Sequence, residues 1–329
     1  MFFIAIDFGL SYFKICLIDE FGKEKLILKY NNKYCIDEGV YKEINLKYYL
    51  EKIIESINKI KEINIKYFNK VKSISVSTHG QTFILVDKAG KELTNGISGF
   101  DKRAGLECRE INSIMDSKKN YEISGISDFS EIFALTKIIW FKRNKENEYN
   151  KIYKILFLED YITFKLTGKF IVDKSIASIS GMFDLTKNSW REDILNILGL
   201  NKNNFSEVVD AGTIVGEISE EFRRKTGLNK KVNVTAGMLD ALANSLGAGN
   251  TKFDKVVECT GTALSIIINT LKPKYNTLRL PIIYFVNNTY SLYTGSLTAG
   301  ILIDWFGENF YDVKNYYKIM DKNASSVKL

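Results

Sequence analysis

Phe2-Phe3-Ile4-Ala5-Ile6-Asp7-Phe8-Gly9-Leu10-Ser11-Tyr12-Phe13-Lys14-Ile15-Cys16-Leu17-Ile18-Asp19 reads as strand, tight turn, strand. The first arm is a continuous apolar run, which predicts a strand buried on both faces. The second arm is rich in β-branched and aromatic residues, as strands are. Between them, Gly9 lets the backbone approach a ligand, because it has no Cβ. Amides in such a turn can point at phosphate oxygens. Ser11 adds a hydroxyl donor and Lys14 a cationic point charge. Asp7 closes the apolar arm, where a bare carboxylate is costly unless it is paired or faces a metal. The set fits a phosphate and metal pocket at a hairpin turn. It is equally compatible with an ordinary glycine hairpin carrying a surface lysine.

A second stretch of the same kind begins at Lys255: Val256-Val257-Glu258-Cys259-Thr260-Gly261-Thr262-Ala263-Leu264-Ser265-Ile266-Ile267-Ile268. Gly261 takes the place of Gly9, with Thr260 and Thr262 beside it. Two such hairpins, each heading a part of the chain, point to a duplicated domain with a ligand between the copies.

With 329 residues the chain has room for two domains and a real core. Hydrophobic residues make up 45% and charged residues 26%, as in globular proteins. The formal charge of +7 comes from lysines spread along the chain, not from a basic block, so a nucleic-acid footprint is not expected. Four separated cysteines and a single histidine, His79, argue against a zinc site and suit reduced thiols in a cytoplasmic protein. Asp7 interrupts the apolar N-terminus too early for a signal peptide, and no run reaches the length of a membrane span.

Along the chain, residues 2–30 read as three strands. Apolar residues at Leu46, Tyr49, Leu50, Ile53, Ile54, Ile57 and Ile60 have helical spacing. Strands are expected at Val71–Ser77 and Phe83–Asp87, and helices at Ala104–Met115 and Phe133–Arg143. Ile155–Leu158 reads as a strand leading into a helix that ends at Gly168. Asp173–Ser180 reads as irregular, and Ser189 as the cap of a helix to Leu198. Val232–Ala236 is expected as a strand. Gly237-Met238-Leu239-Asp240 would turn it into a small-residue helix with Asp240 at its N-terminus, either as a simple cap or as a functional carboxylate. Gly247–Asp254 is the expected domain junction, dividing residues 1–249 from 250–329. This α/β alternation contains no Walker-type loop, no dinucleotide fingerprint and no nucleophile elbow. Acidic residues at strand ends, two Gly/Ser/Thr turns and a lysine suit phosphoryl transfer, where positioning, a metal and a base do most of the work.

In order along the chain, these segments resemble the FGGY carbohydrate kinases. Asp7-Phe8-Gly9-Leu10-Ser11 through Lys14 resembles the first phosphate loop, with Leu10 in place of a Thr. Phe83–Asp87, Gly90-Lys91 and Asp101-x-Arg103 resemble the strand, turn and sugar-site segment, with Gly99 where the family has a Trp. Asp160-Tyr161, Leu166-Thr167-Gly168 and Asp173-x-Ser175-x-Ala177-Ser178 match a further run. Gly237-x-x-Asp240-Ala241 through Gly249 is similar to the segment with the catalytic Asp, and Gly261-Thr262 to the second phosphate loop.

The resemblance implies an α/β fold of two duplicated actin-like (ribonuclease H-like) ATPase domains and an ATP- and Mg²⁺-dependent sugar kinase. It makes Asp240 the general base and Asp7 the Mg²⁺ residue. Asp7, Gly9, Ser11, Lys14, Gly261 and Thr262 would face ATP; Gln81, Asp101 and Arg103 would face the sugar. His79 and Gly80 depart from the usual sugar loop. The partner expected is a small-molecule sugar (a pentulose, hexulose, aldonate or polyol), with no nucleic acid and no membrane; a homodimer stays open. The family's later G-E-R-x-P stretch and adenine loop are missing. The second domain is therefore expected to be incomplete, in a fragment of a kinase or in an inactive sugar-binding or regulatory relative.

Overall fold

In the computed structural model, which describes residues 1–9, 11–253, 255–261, 263–296, 298–311 and 315–327, the opening hairpin forms the middle of a six-stranded mixed sheet. Phe2–Phe8 pairs antiparallel with Tyr12–Asp19, which pairs in turn with Glu24–Asn31. On its other side Phe2–Phe8 runs parallel to Val71–Thr78, followed by Asn233–Leu239 and the edge strand Ile214–Glu217. The three strands expected over residues 2–30 are all present.

The expectation that the first strand is buried on both faces is corrected. Phe2, Ile4, Ile6 and Phe8 are buried, but Phe3, Ala5 and Asp7 are only half-covered. The buried face receives the helix Leu46–Ile63, whose Tyr49, Ile53, Ile57 and Ile60 pack with Ile4, Ile6, Phe13 and Ile15. Burying each such side chain contributes about 1.5–3 kcal/mol. Asn45 caps this helix by accepting a hydrogen bond from the Tyr48 amide at 3.0 Å. Asp7 lies on the half-covered face, which explains how a carboxylate is tolerated at the end of an apolar strand.

A five-stranded sheet and a helical layer adjoin this unit. Its strands Tyr34–Glu38 and Tyr41–Ile44 have no counterpart in the sequence reading. Three other expectations change. Asp173–Ser180 is not irregular: Lys174–Ile179 is helical, with Asp173 capping it through the Ser175 and Ile176 amides. Ser189 lies in a short strand, and the following helix, Glu192–Leu198, starts after Arg191. The strand expected to end at Ala236 runs from Asn233 to Leu239. Gly237 is required there, since a Cβ would sit 1.5 Å from the Val76 carbonyl oxygen.

Beyond residue 250, Val256–Thr260, Leu264–Thr270, Tyr290–Ser296 and Ile282–Tyr284 form a four-stranded sheet. It is joined to the earlier part by backbone bonds such as Ile282 N–H to Gly125 O, 3.0 Å. Ile267, Ile282, Ile283 and Phe285 share a core cluster with residues of the helical layer. Among the described residues no helix is long and apolar enough to cross a membrane.

Candidate active site

The two hairpin turns and the end of the strand Asn233–Leu239 line one cavity of about 780 Å³. Asp7, Gly9, Ser11 and Lys14 line it from the first hairpin, and Thr260, Gly261 and Ala263 from the second. Leu10 and Thr262 lie outside the described residues. Antiparallel register sets Asp7 opposite Lys14, and their side chains meet at 3.4 Å. Parallel register sets Asp7 opposite Ser77, whose hydroxyl donates to Asp7 Oδ1 at 2.9 Å. Asn32 Nδ2 donates to the Gly9 carbonyl at 2.8 Å and steadies the turn.

Asp240 also lines this cavity. It is the first residue of the helix Asp240–Gly247, while the cap position belongs to Leu239. The simple-cap alternative therefore does not describe it, although Oδ1 accepts the Ala241 amide at 2.7 Å. Burial, reinforced by the negative charge of Asp7, pushes its carboxyl up to about 7. A carboxyl poised there can exchange a proton near neutral pH. Two carboxylates that repel across one cavity are also a setting in which a divalent cation fits, since Mg²⁺ takes one or two carboxylates and keeps much of its water.

The junction carrying Asp240 is braced from below. Glu159 Oε1 accepts the Gly237 amide at 2.9 Å, and the Ser175 hydroxyl oxygen accepts the Leu239 amide at 2.8 Å. Ser175 in turn donates to Asp173. Burial raises both Glu159 and Asp173, the latter to about 7, and the charges of Asp173 and Asp160 raise Glu159 further.

A family model for the "FGGY family of carbohydrate kinases, N-terminal domain" matches residues 2–247. The chain belongs to this family. It is 26% identical to a xylulose kinase of Staphylococcus xylosus over 98% of this chain and 67% of that protein. Over 74% of this chain and 49% of the other, it is 28% identical to a rhamnulokinase of Ligilactobacillus salivarius. The solved structure of ligand-bound xylulose kinase from Lactobacillus acidophilus superposes with a TM-score of 0.89 at 20% identity, covering 97% of this chain and 65% of that one. The chain thus spans about two thirds or less of the length of these relatives. The fold is the actin-like α/β architecture of FGGY kinases.

The residues expected to face a sugar are placed unevenly within this FGGY fold. Gln81 lines the cavity, but its amide is committed: Nε2 donates to Ile179 O at 2.6 Å and Oε1 accepts the Ala134 amide at 2.9 Å. Asp101 and Arg103 do not line the cavity. They form a buried pair at 2.7 Å, joined by Glu43, behind the wall residues Gly99 and Phe100. The Arg103 guanidinium also stacks over Tyr41, Trp140 and Phe141. His79 lines the cavity with both ring nitrogens used. Nδ1 faces the Phe8 carbonyl at 2.9 Å and must carry the proton, so Nε2 accepts from the Thr82 hydroxyl at 2.8 Å. Burial lowers its pKa, and this neutral histidine ties the first hairpin strand to the loop residue Thr82.

Lys137 had no place in the sequence reading beyond a helical position. It is fully buried and donates to Ser98 O (2.8 Å), Ile132 O (2.9 Å) and Gly99 O (3.3 Å). It thus holds two stretches of the cavity wall together. Its only sequence signal is a lysine set among apolar residues within the stretch Ala134–Ile139.

Proposed function

We propose that the chain carries the acceptor side of an ATP-dependent carbohydrate kinase, with Asp240 as general base and residues 250–329 contributing part of the nucleotide side. The observation that carries this reading is the shared cavity, in which a carboxylate with its pKa near 7 lies beside the charged turn of the first hairpin. Asp240 takes the proton from a substrate hydroxyl as its oxygen bonds to the γ-phosphorus of ATP. The bond from that phosphorus to the bridging oxygen breaks, and ADP leaves with the electron pair. Lys14, Gly9 and Ser11 on one side and Gly261 on the other face the phosphates, and the family resemblance gives Thr262 a part in the same phosphate grip. Asp7 would hold Mg²⁺, which when bound neutralises phosphate charge. Gln81 shapes the acceptor end, and Asp101 and Arg103 support it from behind. Family relatives named as a xylulose kinase and a rhamnulokinase support a sugar as the acceptor.

Asp240→Asn tests the assignment. Loss of general-base catalysis should lower kcat by about 10²–10⁴-fold in an ADP-release assay. Sugar binding measured by calorimetry should persist. Near-normal turnover in the variant removes Asp240 as the base. Sugar heat without any nucleotide heat in the unaltered chain replaces the kinase reading with an inactive sugar-binding relative.

A further inference from the structure

The strand that leads to Asp240 is not regular. Against its parallel neighbour Val71–Thr78, Thr235 lies opposite Ser75 and Met238 opposite Ser77. Three steps on one strand match two on the other, so Asn233–Leu239 carries one extra residue, a β-bulge at Ala236 and Gly237. Side chains alternate between the two faces of a sheet, so an extra residue exchanges the faces for everything that follows it. The bulge therefore decides on which side the strand delivers Asp240. Gly237 permits it, because a Cβ there would lie 1.5 Å from the Val76 carbonyl oxygen.

A bulge disrupts the ladder locally, and here two buried side chains accept amides of the bulged stretch. Glu159 Oε1 takes the Gly237 amide at 2.9 Å, and the Ser175 hydroxyl oxygen takes the Leu239 amide at 2.8 Å. Both side chains are fully buried, and neither lines the cavity. A hydroxyl has one proton to give. Ser175 gives it to Asp173, which leaves its oxygen free to accept from Leu239. Asp173 also accepts the Ser175 amide at 2.7 Å, and its own amide donates to Glu159 Oε2 at 3.3 Å. The two acceptors thus belong to one buried unit. The helix Lys174–Ile179, which carries Ser175, is anchored in turn to the second sheet. Its Ser178 hydroxyl oxygen accepts the Tyr284 amide at 3.0 Å, and Lys174 lies over the Tyr284 ring while pairing with Asp210 at 3.1 Å.

Resting on the kinase reading above, we propose that Glu159 and Ser175, the latter oriented by Asp173, are positioning residues for the general base. They hold the bulge and through it aim Asp240 at the acceptor hydroxyl, without touching substrate. Removing either acceptor leaves a buried amide unpaired, and the strand relieves this by shifting at the bulge, one to three residues before Asp240. A displacement of about 1 Å at a reacting group can cost about 10²-fold in rate. The rest of the cavity wall stands on other elements, so acceptor binding is left in place.

The test is a double-mutant cycle on kcat, read by ADP release. Ser175→Ala, and Glu159→Leu at the other acceptor, should each lower kcat by about 10–100-fold and leave the KM for the sugar within about twofold. Ser175→Cys keeps the shape but offers only a weak sulfur acceptor, so it should lose kcat in the same way even if the alanine variant does not fold. The decisive figure is the effect of either Ser175 variant in the Asp240→Asn background. A residue that acts through Asp240 has nothing left to position there, so the second substitution should add less than about twofold to the loss. Full kcat in the Ser175 variants, or losses that multiply in the double variant, overturn the positioning role and leave the kinase reading standing. Near-normal turnover in Asp240→Asn, or no turnover in the unaltered chain, fails that reading instead and this inference with it.

Discussion

The two glycine hairpins look alike in sequence and differ in how they are held. The first lies inside its sheet, with hydrogen-bonded strands on both sides. Phe8 and Phe13 face each other across it, with ring centroids 4.7 Å apart and almost no exposure. Its strand partners place Lys14 and Ser77 on Asp7, so a charge is fixed at its turn. The second begins with an edge strand, Val256–Thr260, on which Val256 is 62% exposed. Its turn is closed by backbone bonds, from the Gly261 amide to Ala263 O and from the Gly300 amide to Gly261 O. The neighbouring helix Gly300–Phe310 leaves Trp305 and Phe310 more than half exposed. A glycine turn supplies amides in either setting. It holds a carboxylate and a lysine in register only where flanking strands supply the partners.

The largest stability difference between the two should come from matched truncations. Phe13→Ala removes a fully buried ring and should cost about 3–5 kcal/mol in urea unfolding. Val256→Ala should change stability by less than about 0.5 kcal/mol, as expected of an exposed edge position. Similar costs at both sites would break the contrast between an embedded platform and a peripheral clasp.

A smaller effect is expected at Lys137, which stabilises the wall opposite the hairpins. Burial pushes its ammonium down to about 7, while the nearby Asp101 charge opposes the fall and Arg103 adds to it. Lys137→Met fills similar space but leaves three carbonyls short of a donor. The expected loss of stability is about 1–3 kcal/mol. The more telling readout is kinetic. If Lys137 positions the acceptor wall, KM for the sugar should rise several-fold while KM for ATP and kcat change little. Equal changes in all three would reduce it to a general structural role.

The sequence made some of this legible and not the rest, for physical reasons. Asp240 stood out only through the resemblance of Gly237-x-x-Asp240-Ala241 to a family segment, since spacing alone fits a simple cap as well; the reason for the glycine, a Cβ that would lie 1.5 Å from the Val76 carbonyl oxygen, exists only in the tertiary structure. Asp7, Gly9 and Lys14 were readable because hairpin register is local. Lys137 was not, because three carbonyls from residues 98, 99 and 132 meet only in tertiary structure. Asp101 and Arg103 were expected at the sugar, but two residues apart on a bend they satisfy each other first. The helix over residues 174–179 was obscured by its serines, which look like loop residues until Asp173 is seen capping them.

The smallest effect bears on the cost of placing Asp240 next to the first hairpin. Its folded pKa, about 7, lies above an unfolded value near ~3.9. The folded state therefore binds the proton more tightly, and this contribution to stability is complete below about pH 4 and lost as pH rises through 7. An asparagine side chain cannot titrate, so the Asp240→Asn variant should match the parent near pH 4 and exceed it at pH 8. Discounted for the open cavity, the gain should be about 1–2 kcal/mol in urea unfolding. Because the Asp7 charge adds to the shift, Asp7→Asn should move the pH midpoint of this difference downward. The second hairpin supplies no such charge among the described residues of its turn, so Thr260→Val should leave the midpoint where it is. A midpoint that ignores Asp7 but follows Thr260 would reverse the roles assigned to the two hairpins.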